Sequence, residues 1–337
     1  MILQRRIPNS SIASLHREQG VALLTILLMV AMATILASSL LMKQQRLVRE
    51  GSVLFRQNQA TQYALAGERF LIELLAADQQ SGANTDHLGE LWAKPTPPYP
   101  VEDGFVSGQL VEQSGRFNLN NLYHNGQPDP EALALFGRLL TQVGLSADLA
   151  DAVLDWQDPD ETITGAAGAE DSFYQGQQPS YRAANRPLMS VQELQLVRGF
   201  ESAEAFELIQ PYVSALPAFA TVNLNTAQAP LLAALVDNMD RNTVGDWVSR
   251  RDQNAEPIEQ IAAFWDMSGQ SQITPEQRTQ AQRFLSVKSS YYQAQVTVML
   301  SGRTRHLTSD FYRQGATVSA YQRSFAPIAA SVPISKP

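Results

Sequence analysis

The pattern of hydrophobic and polar positions changes abruptly at Val21. Residues 1–20 are polar and carry more arginine than glutamate, whereas Val21–Met42 contains no charged residue. An uncharged stretch of about 22 residues is long enough to cross a bilayer as a helix. Apolar residues recur at helical spacing through residues 43–77, so the sequence predicts that the membrane helix continues as an amphipathic one.

Strand patterns occupy two separate parts of the chain. Phe105–Glu112 alternates between apolar and polar residues, and Tyr291–Leu300 and Arg303–Arg313 are rich in tyrosine, valine and threonine. Ser301-Gly302 separates the last two segments and predicts a β-hairpin.

These patterns divide the chain into a leader, an anchor and an outer domain. Residues 1–20 form the leader and residues 21–42 the transmembrane helix. A long helix packed on an antiparallel sheet makes an α+β domain, which we assign to residues 43–117 and 286–315. Residues 316–337 contain proline and alanine with little periodicity, and we expect a loose tail there.

The region between the strands is rich in alanine, leucine, glutamine and acidic residues. We interpret it as a large all-helical insertion that interrupts the α+β domain. Phe117–Leu122 and Val222–Ala227 resemble each other, and each precedes an apolar helix with asparagine or threonine available as its cap. They predict two related helical subdomains, residues 118–220 and 221–285, although chance and common capping chemistry are an alternative explanation. The helix-sized apolar repeats are Glu131–Val143, Ala147–Trp156, Val191–Val197, Ala203–Ile209, Pro230–Val236, Thr243–Arg250 and Pro275–Leu285.

Composition and charge narrow the classes of function. The 337 residues include no cysteine, which excludes disulfides, thiolate zinc sites and cysteine nucleophiles. The net charge is −8, which argues against a nucleic-acid partner held by charge.

An acidic loop is the strongest candidate for chemistry. The segment Asp151–Asp171 contains seven acidic residues and a glycine-containing stretch. Their carboxylates repel one another unless something neutralises the charge. Calcium prefers carboxylate and carbonyl oxygens. The spacing is not that of an EF-hand. The alternative is a solvated loop with helix-capping aspartates. If a metal binds, the predicted ligands are Asp155, Asp158, Asp160, Glu170 and Asp171.

Catalysis and DNA binding have little support. None of the four histidines has a nearby serine and aspartate partner in sequence, and no G-x-S-x-G, P-loop or H-E-x-x-H motif occurs. Val222–Ala227 and Met189–Phe200 resemble helix-hairpin-helix and SAM-like modules, yet aspartates lie where a DNA-binding module needs cations. The sequence therefore predicts no enzyme and no nucleic-acid partner. A membrane-anchored enzyme and a DNA-binding pilin-like protein remain the alternatives.

The stretch R-E-Q-G-V-A-L-L-T-I-L-L resembles the leader of type IV prepilins and pseudopilins. This resemblance implies that a prepilin peptidase cuts after Gly20 and that the new N-terminal residue, Val21, is methylated. An ordinary signal anchor is the alternative. Most such proteins have glutamate at the fifth mature position, where it pairs with the amine of the next subunit. Here that position is Thr25, which carries no charge.

The whole chain resembles the type II secretion system minor pseudopilin K family. The resemblance rests on Thr25, on the size of the chain and on five motifs. The motifs are G-R-F-N-L-N-N-L (Gly115–Leu122), D-W-Q-D-P-D (Asp155–Asp160), G-A-E-D-S-F-Y (Gly168–Tyr174), Y-R-A-A-N-R-P-L (Tyr181–Leu188) and T-V-N-L-N-T-A (Thr221–Ala227).

The family resemblance implies structural calcium in the helical domain and a place at the tip of the periplasmic pseudopilus. The implied partners are the minor pseudopilins I and J. It also implies a single-pass protein of the inner membrane whose C-terminal domain lies in the periplasm. The basic leader agrees with that orientation, because positive charge tends to stay in the cytoplasm.

Overall fold

The computed structural model describes residues 12–80, 84–254, 257–266 and 272–327. The first eleven residues of the expected leader and the last ten of the expected tail therefore lie outside the described residues. The chain divides into two compact units, Met1–Thr61 and Gln62–Pro337.

One helix, α1, runs continuously over Ile12–Gln80. From Gly20 onward it contains a stretch of mean hydropathy 2.5 with no buried residue, long and apolar enough to cross a membrane. The predicted continuation of the apolar helix through residues 43–77 is confirmed.

A five-stranded antiparallel sheet forms the centre of the α+β domain. Its strand order is β1-β2-β9-β10-β11. The strands are β1 (Tyr99–Val101), β2 (Gly104–Glu112), β9 (Tyr291–Leu300), β10 (Arg303–Gln314) and β11 (Thr317–Ser324). The predicted hairpin is confirmed as β9 and β10, and Ser301 and Gly302 both have positive φ, as its two-residue turn requires.

The expectation of a loose tail from residue 316 is wrong for its first part. Strand β11 pairs with β10 along its whole length, from Gln314↔Thr317 to Thr308↔Ser324. It lies at the edge of the sheet and most of its side chains are exposed. Exposed side chains give a weak apolar signal, and the backbone pairing with β10 identifies the segment as a strand.

The C-terminal part of α1 packs against this sheet. Ala64, Leu71 and Leu75 are almost fully buried. A methyl group at Gly67 would lie 2.8 Å from Cγ1 of Val296 on β9, so the glycine allows the helix to approach the strand closely.

The insertion predicted to be all-helical lies between β2 and β9, and it holds short strands as well as helices. It holds α2 (Pro130–Gln142), α3 (Leu149–Asp155), α4 (Asp171–Tyr174), α5 (Ala203–Ile209), α6 (Ala229–Ala233), α7 (Arg241–Asn254), α8 (Ile261–Trp265) and α9 (Pro275–Gln282). The predicted segment Val191–Val197 forms a 3₁₀ helix at Val191–Leu196.

Three short two-stranded ladders, which the sequence did not predict, also lie within the insertion. They are β3 (Phe117–Asn118) with β6 (Val213–Ser214), β4 (Tyr123–His124) with β5 (Gln127–Pro128), and β7 (Val222–Asn223) with β8 (Leu285–Ser286). One cluster of buried apolar residues extends from Phe117 to Leu285 through the whole insertion. The division into residues 118–220 and 221–285 stays a prediction.

Candidate cation site and assembly residues

The loop between α3 and α4 brings three carboxylates together. Oxygen atoms of Asp158, Asp160 and Glu170 all lie within 4.8 Å of one another. Asp158 follows the end of α3, and Glu170 immediately precedes α4. The chain between them folds back, so residues distant in sequence converge on one point.

Burial makes it unfavourable for these converging carboxylates to be charged when no cation is bound. Asp158 is 4% exposed and Glu170 is 3% exposed. Oδ1 of Asp158 and both carboxylate oxygens of Glu170 have no hydrogen-bond partner. Burial, reinforced by the neighbouring carboxylates, raises the pKa of Asp158 to about 6 and that of Glu170 to about 7. A buried charge without a partner is strongly unfavourable, so these oxygens require a proton or a cation.

Asp155 and Asp171, the other two predicted ligands, lie beside the cluster. Their carboxylates accept hydrogen bonds from backbone N–H groups. Both oxygens of the fully buried Asp155 accept a hydrogen bond from the Thr164 backbone N–H, at 3.1 and 3.2 Å. Oδ1 of Asp171 accepts from the Ala183 backbone N–H at 3.0 Å. The structure therefore gives these two carboxylates a part in shaping the loop.

Two glycines make the fold of this loop possible. Gly165 has a φ of +56°, and a side chain there would collide with the carboxylate of Asp151. A methyl group at Gly168 would lie 2.2 Å from the Thr164 carbonyl oxygen and 2.4 Å from Oδ2 of Asp155. The acidic cluster therefore depends on the small residues that separate its two acidic halves.

Aromatic side chains pack the loop against the rest of the insertion. The ring of Trp156 meets those of Tyr174 and Tyr181 edge-on, with centroids 5.1 and 6.3 Å apart. Tyr174 is fully buried in the apolar cluster of the insertion. The carboxylates are thus presented by a packed loop, and their oxygens match the donor set that hard divalent cations prefer.

A second acidic group escaped the sequence analysis. Asp78, Asp86 and Glu90 also bring carboxylate oxygens within 4.8 Å of one another. This group differs from the first because side chains of the protein already pair with its carboxylates. Arg313 forms ion pairs with Asp86 and Asp78, and the Trp92 indole N–H donates to Glu90. These residues span the end of α1 and the following loop without any motif, so no sequence signal indicated them.

Comparison with known proteins gives family matches in both parts of the insertion. The family model described as "Type II secretion system (T2SS), protein K" matches residues 115–218, and a second model with the same description matches residues 222–288. Type II secretion system protein K of Pseudomonas aeruginosa is 40% identical over 230 residues, which cover 65% of this chain and 68% of that protein.

The chain belongs to the type II secretion system protein K family. The Aeromonas hydrophila member is 31% identical over 89% of this chain and 94% of its own length. The Klebsiella pneumoniae member is 30% identical over 92% of this chain and 97% of its own length. The chain is therefore a minor pseudopilin of the type II secretion system, and the sequence-based assignment is confirmed.

The fold agrees with a solved structure of the family. A chain of the crystal structure of the GspK-GspI-GspJ complex from enterotoxigenic Escherichia coli matches with a TM-score of 0.72 at 23% identity. The match covers 82% of this chain and 99% of that chain. The α+β architecture with its helical insertion is thus shared.

In this protein K family member, the predicted processing and assembly residues all lie on α1. Gly20 and Val21 are exposed within the continuous helix. The hydroxyl of Thr25 donates to the Ala22 carbonyl oxygen at 2.8 Å, so it is bound to its own helix. A hydroxyl is uncharged, so Thr25 offers no carboxylate to a neighbouring subunit.

Three histidines of the outer domain have side-chain partners that fit structural roles. His124 pairs with Asp129, the N-cap of α2, at 3.1 Å. His306 lies 3.1 Å from the Thr297 hydroxyl across the β9–β10 pair. His87 approaches Glu90 at 3.7 Å.

Proposed function

We propose that this minor pseudopilin caps the tip of the periplasmic pseudopilus in complex with the minor pseudopilins I and J, and so takes part in export of folded proteins across the outer membrane. The matching solved structure is described as a GspK-GspI-GspJ complex. A shared architecture supports equivalent partners for this chain.

The main support for a position at the tip is the location of the insertion in the fold. Strands β2 and β9 are direct neighbours in the sheet, yet the whole helical insertion leaves from one and returns to the other. Helices that pack side by side lie about 8–10 Å apart, which leaves little room for a large domain between them. A domain enlarged by such an insertion fits the end of a filament, where no further subunit has to be added.

The N-terminal residues support the same position. A prepilin peptidase would cut after Gly20 and leave Val21 as a methylated N-terminus at the start of the apolar helix. The apolar helix from Val21 onward, which the mature chain retains after the cut, would anchor it in the inner membrane, with the domain in the periplasm. Thr25 gives the subunit no carboxylate for the amine of a neighbour, which suits the first subunit of a filament better than an internal one.

We assign the acidic loop to calcium. Asp158, Asp160 and Glu170 would supply carboxylate oxygens, while Asp155 and Asp171 would hold the loop in shape. Calcium takes six to eight oxygen ligands and tolerates irregular geometry, which suits carboxylates supplemented by carbonyls or water. The buried, unpartnered oxygens of Glu170 are the observation that supports this assignment. The role proposed for the site is structural, not catalytic.

The tip position is tested on the full chain co-expressed with its minor pseudopilins I and J and with the major pseudopilin. The chain should co-purify with I and J from detergent extracts, and gold-labelled antibody should mark only fibre ends. Label distributed along the fibres would overturn the proposal. Mass spectrometry of the same material should find a mature chain that begins at Val21.

A further inference from the structure

The two faces of the five-stranded sheet differ in chemistry. Side chains alternate across a strand, and directly paired residues of neighbouring strands point to the same side. Val296 of β9 approaches Gly67 of α1, so its side is the face that packs on the helix. We call the opposite side the far face. It carries Gln109 of β2, Gln293 and Gln295 of β9, and Asp310 and Tyr312 of β10.

Charge is distributed over these faces in an unusual way. An antiparallel sheet with one solvated face commonly directs its apolar residues to the core and its polar ones to water. Here the arginines of β10 and β11 all point to the α1 side, where Arg313 and Arg323 form ion pairs with carboxylates of α1. Among the residues of the five strands that point to the far face, Asp310 and His306 are the only ionisable groups besides tyrosine. The far face is therefore polar and almost uncharged, which disfavours a strongly charged partner.

A hydrogen-bonded ladder of side-chain amides crosses the far face. Nε2 of Gln109 donates to Oε1 of Gln295 at 2.8 Å, and Nε2 of Gln295 donates to Oε1 of Gln293 at 3.0 Å. Nε2 of Gln293 donates to Oδ1 of Asp310 at 2.9 Å. An ionised carboxylate can only accept, so Asp310 fixes the direction of the whole ladder. Each amide keeps a second N–H and acceptor capacity on its oxygen, held in a fixed orientation.

Tyrosine rings stand beside the Asp310 end of this ladder. Tyr312 is the next residue of β10 on the far face, and its ring lies 5.1 Å from that of Tyr291. Tyr321 of β11 meets Tyr291 edge-on at 6.3 Å. Tyr291 is 5% exposed, whereas Tyr312 and Tyr321 are 38% and 42% exposed. One buried ring thus supports two exposed ones, which form a rigid amphipathic surface.

Exposed aromatic rings beside uncharged amides match the chemistry of sugars. A sugar ring has an apolar face of C–H groups, which can stack on tyrosine, and a rim of hydroxyls, which bond to amides and carboxylates. An acetamido group adds one N–H donor and one carbonyl acceptor, and a glutamine amide complements both. A charged polymer would find no set of opposite charges on this face.

We propose that the far face of the sheet binds a neutral glycan chain of N-acetylated sugars. Tyr312 and Tyr321 stack against sugar rings, and Gln293 and Gln295 bond to acetamido groups. The glycan of the cell wall is the source to which we assign the site, a choice that rests on the periplasmic position proposed above. The contact would be made by the α+β domain and would leave the helical insertion free.

Isothermal titration with a hexamer of N-acetylglucosamine tests the site, on the full chain in a detergent without a sugar headgroup. The hexamer should bind, and Tyr312→Ala with Tyr321→Ala should weaken binding by about tenfold or more at an unchanged melting temperature. Tyr99→Ala is the matched control, because Tyr99 is 71% exposed and points to the α1 side. Absence of binding, or an equal loss in the control, would overturn the inference.

A glucose hexamer, which lacks acetamido groups, tests the glutamine ladder. A site built to bond to an acetamido group should bind the N-acetylglucosamine hexamer more tightly than the glucose hexamer, by about tenfold or more. Gln293→Leu with Gln295→Leu should remove most of this preference, because the tyrosines alone do not distinguish the two sugars. Equal affinity of the unaltered chain for both hexamers would overturn the assignment to N-acetylated sugars.

Sedimentation with purified cell-wall sacculi separates this inference from the tip position. The full chain should sediment with the sacculi and be released by the N-acetylglucosamine hexamer, whereas the double tyrosine variant should stay in solution. If no glycan binds and the same variant no longer co-purifies with the minor pseudopilins I and J, the far face is a protein interface and the inference is wrong. Gold label along the fibres, in contrast, would overturn the tip position and leave glycan binding unchanged.

Discussion

The guanidinium of Arg313 donates to the carboxylate of Asp86, 227 positions earlier in the chain. Both side chains are 3% exposed. Arg313 also donates to the Ser289 carbonyl at 2.9 Å, and Asp86 accepts from the Ser289 N–H at 2.8 Å. Asn223 donates to the Ser289 hydroxyl at 2.7 Å. This network joins the sheet, the segment after α1 and the second part of the insertion.

Arg313→Met should therefore destabilise the protein strongly. Removal of one partner of a buried ion pair leaves an uncompensated charge, and we expect the free energy of unfolding to fall by about 3–5 kcal/mol. Urea unfolding of the chain in detergent measures the change. The double variant Asp86→Asn with Arg313→Met should recover part of the loss, because the most deeply buried carboxylate that Arg313 pairs with no longer carries a charge, while Asp78 is more exposed. Equal losses in the single and double variants would contradict this account.

The elements that could be predicted from the sequence are those with local signals. The uncharged run after Gly20 predicted α1, and Ser301-Gly302 between two β-rich segments predicted the hairpin. Strand β11 was missed because most of its side chains are exposed and its apolar alternation is limited to Val318 and Ala320. Its identity lies in backbone bonds to β10, which no local pattern reveals.

The candidate site, too, could be predicted only as far as it has a local sequence signal. Clustered carboxylates pointed to the loop, and three of the five predicted ligands do converge: Asp158, Asp160 and Glu170. The hydrogen bonds that occupy Asp155 and Asp171 come from backbone groups of Thr164 and Ala183. Those bonds depend on how the chain folds back on itself, so charge spacing alone could not separate the three converging carboxylates from the two that bind backbone groups.

Calcium should stabilise the chain through Asp158 and Glu170. A ligand that binds only the folded state raises the melting temperature, so millimolar calcium should do so after prior chelation. The effect should disappear in Asp158→Asn with Glu170→Gln. Glu161→Gln, a change at a nearby exposed acidic residue, is the matched control and should retain the full shift. A melting curve that does not respond to calcium in the unaltered chain would refute the assignment.

The same carboxylates predict a pH dependence in the presence of chelator. The folded state raises the pKa of Asp158 from 3.8 to about 6 and that of Glu170 from 4.5 to about 7, so it binds their protons more tightly than the unfolded state does. Their protonation therefore favours the folded state in acid, and this contribution is lost as the pH rises through the folded pKa values. The free energy of unfolding should fall from about pH 4.5 to 7.

Two comparisons check this pH dependence. The fall should be smaller in Asp158→Asn with Glu170→Gln, because neither substituted side chain titrates. Calcium binding should release protons near pH 6–7, so its affinity should rise with pH, which isothermal titration in two buffers of different ionisation enthalpy can detect. Stability that rises over this pH range in the chelated chain would contradict the burial argument.

Thr25→Glu should alter where the subunit lies in the fibre. A glutamate at the fifth mature position can pair with the amine of a neighbouring subunit, so the variant should enter the shaft or block assembly. Gold labelling of fibres and a secretion assay measure the two outcomes. Thr25→Val, which removes the hydroxyl without adding charge, should behave as the unaltered chain. Normal secretion and end-only labelling in Thr25→Glu would mean that Thr25 does not determine the position.

Gly168→Ala should damage the acidic loop, because its new methyl group would meet the Thr164 carbonyl and the buried Asp155 carboxylate. Neither group is a flexible chain end that can move away. Overpacking of this kind costs about 1–3 kcal/mol in the free energy of unfolding. Gly245→Ala is the matched control, since Gly245 lies inside α7 with open space around it and alanine favours a helix by about 1 kcal/mol over glycine. Urea unfolding should thus show a loss for the first variant and none for the second. Calcium binding weakened in Gly168→Ala but unchanged in Gly245→Ala would link the shape of the loop to the cation.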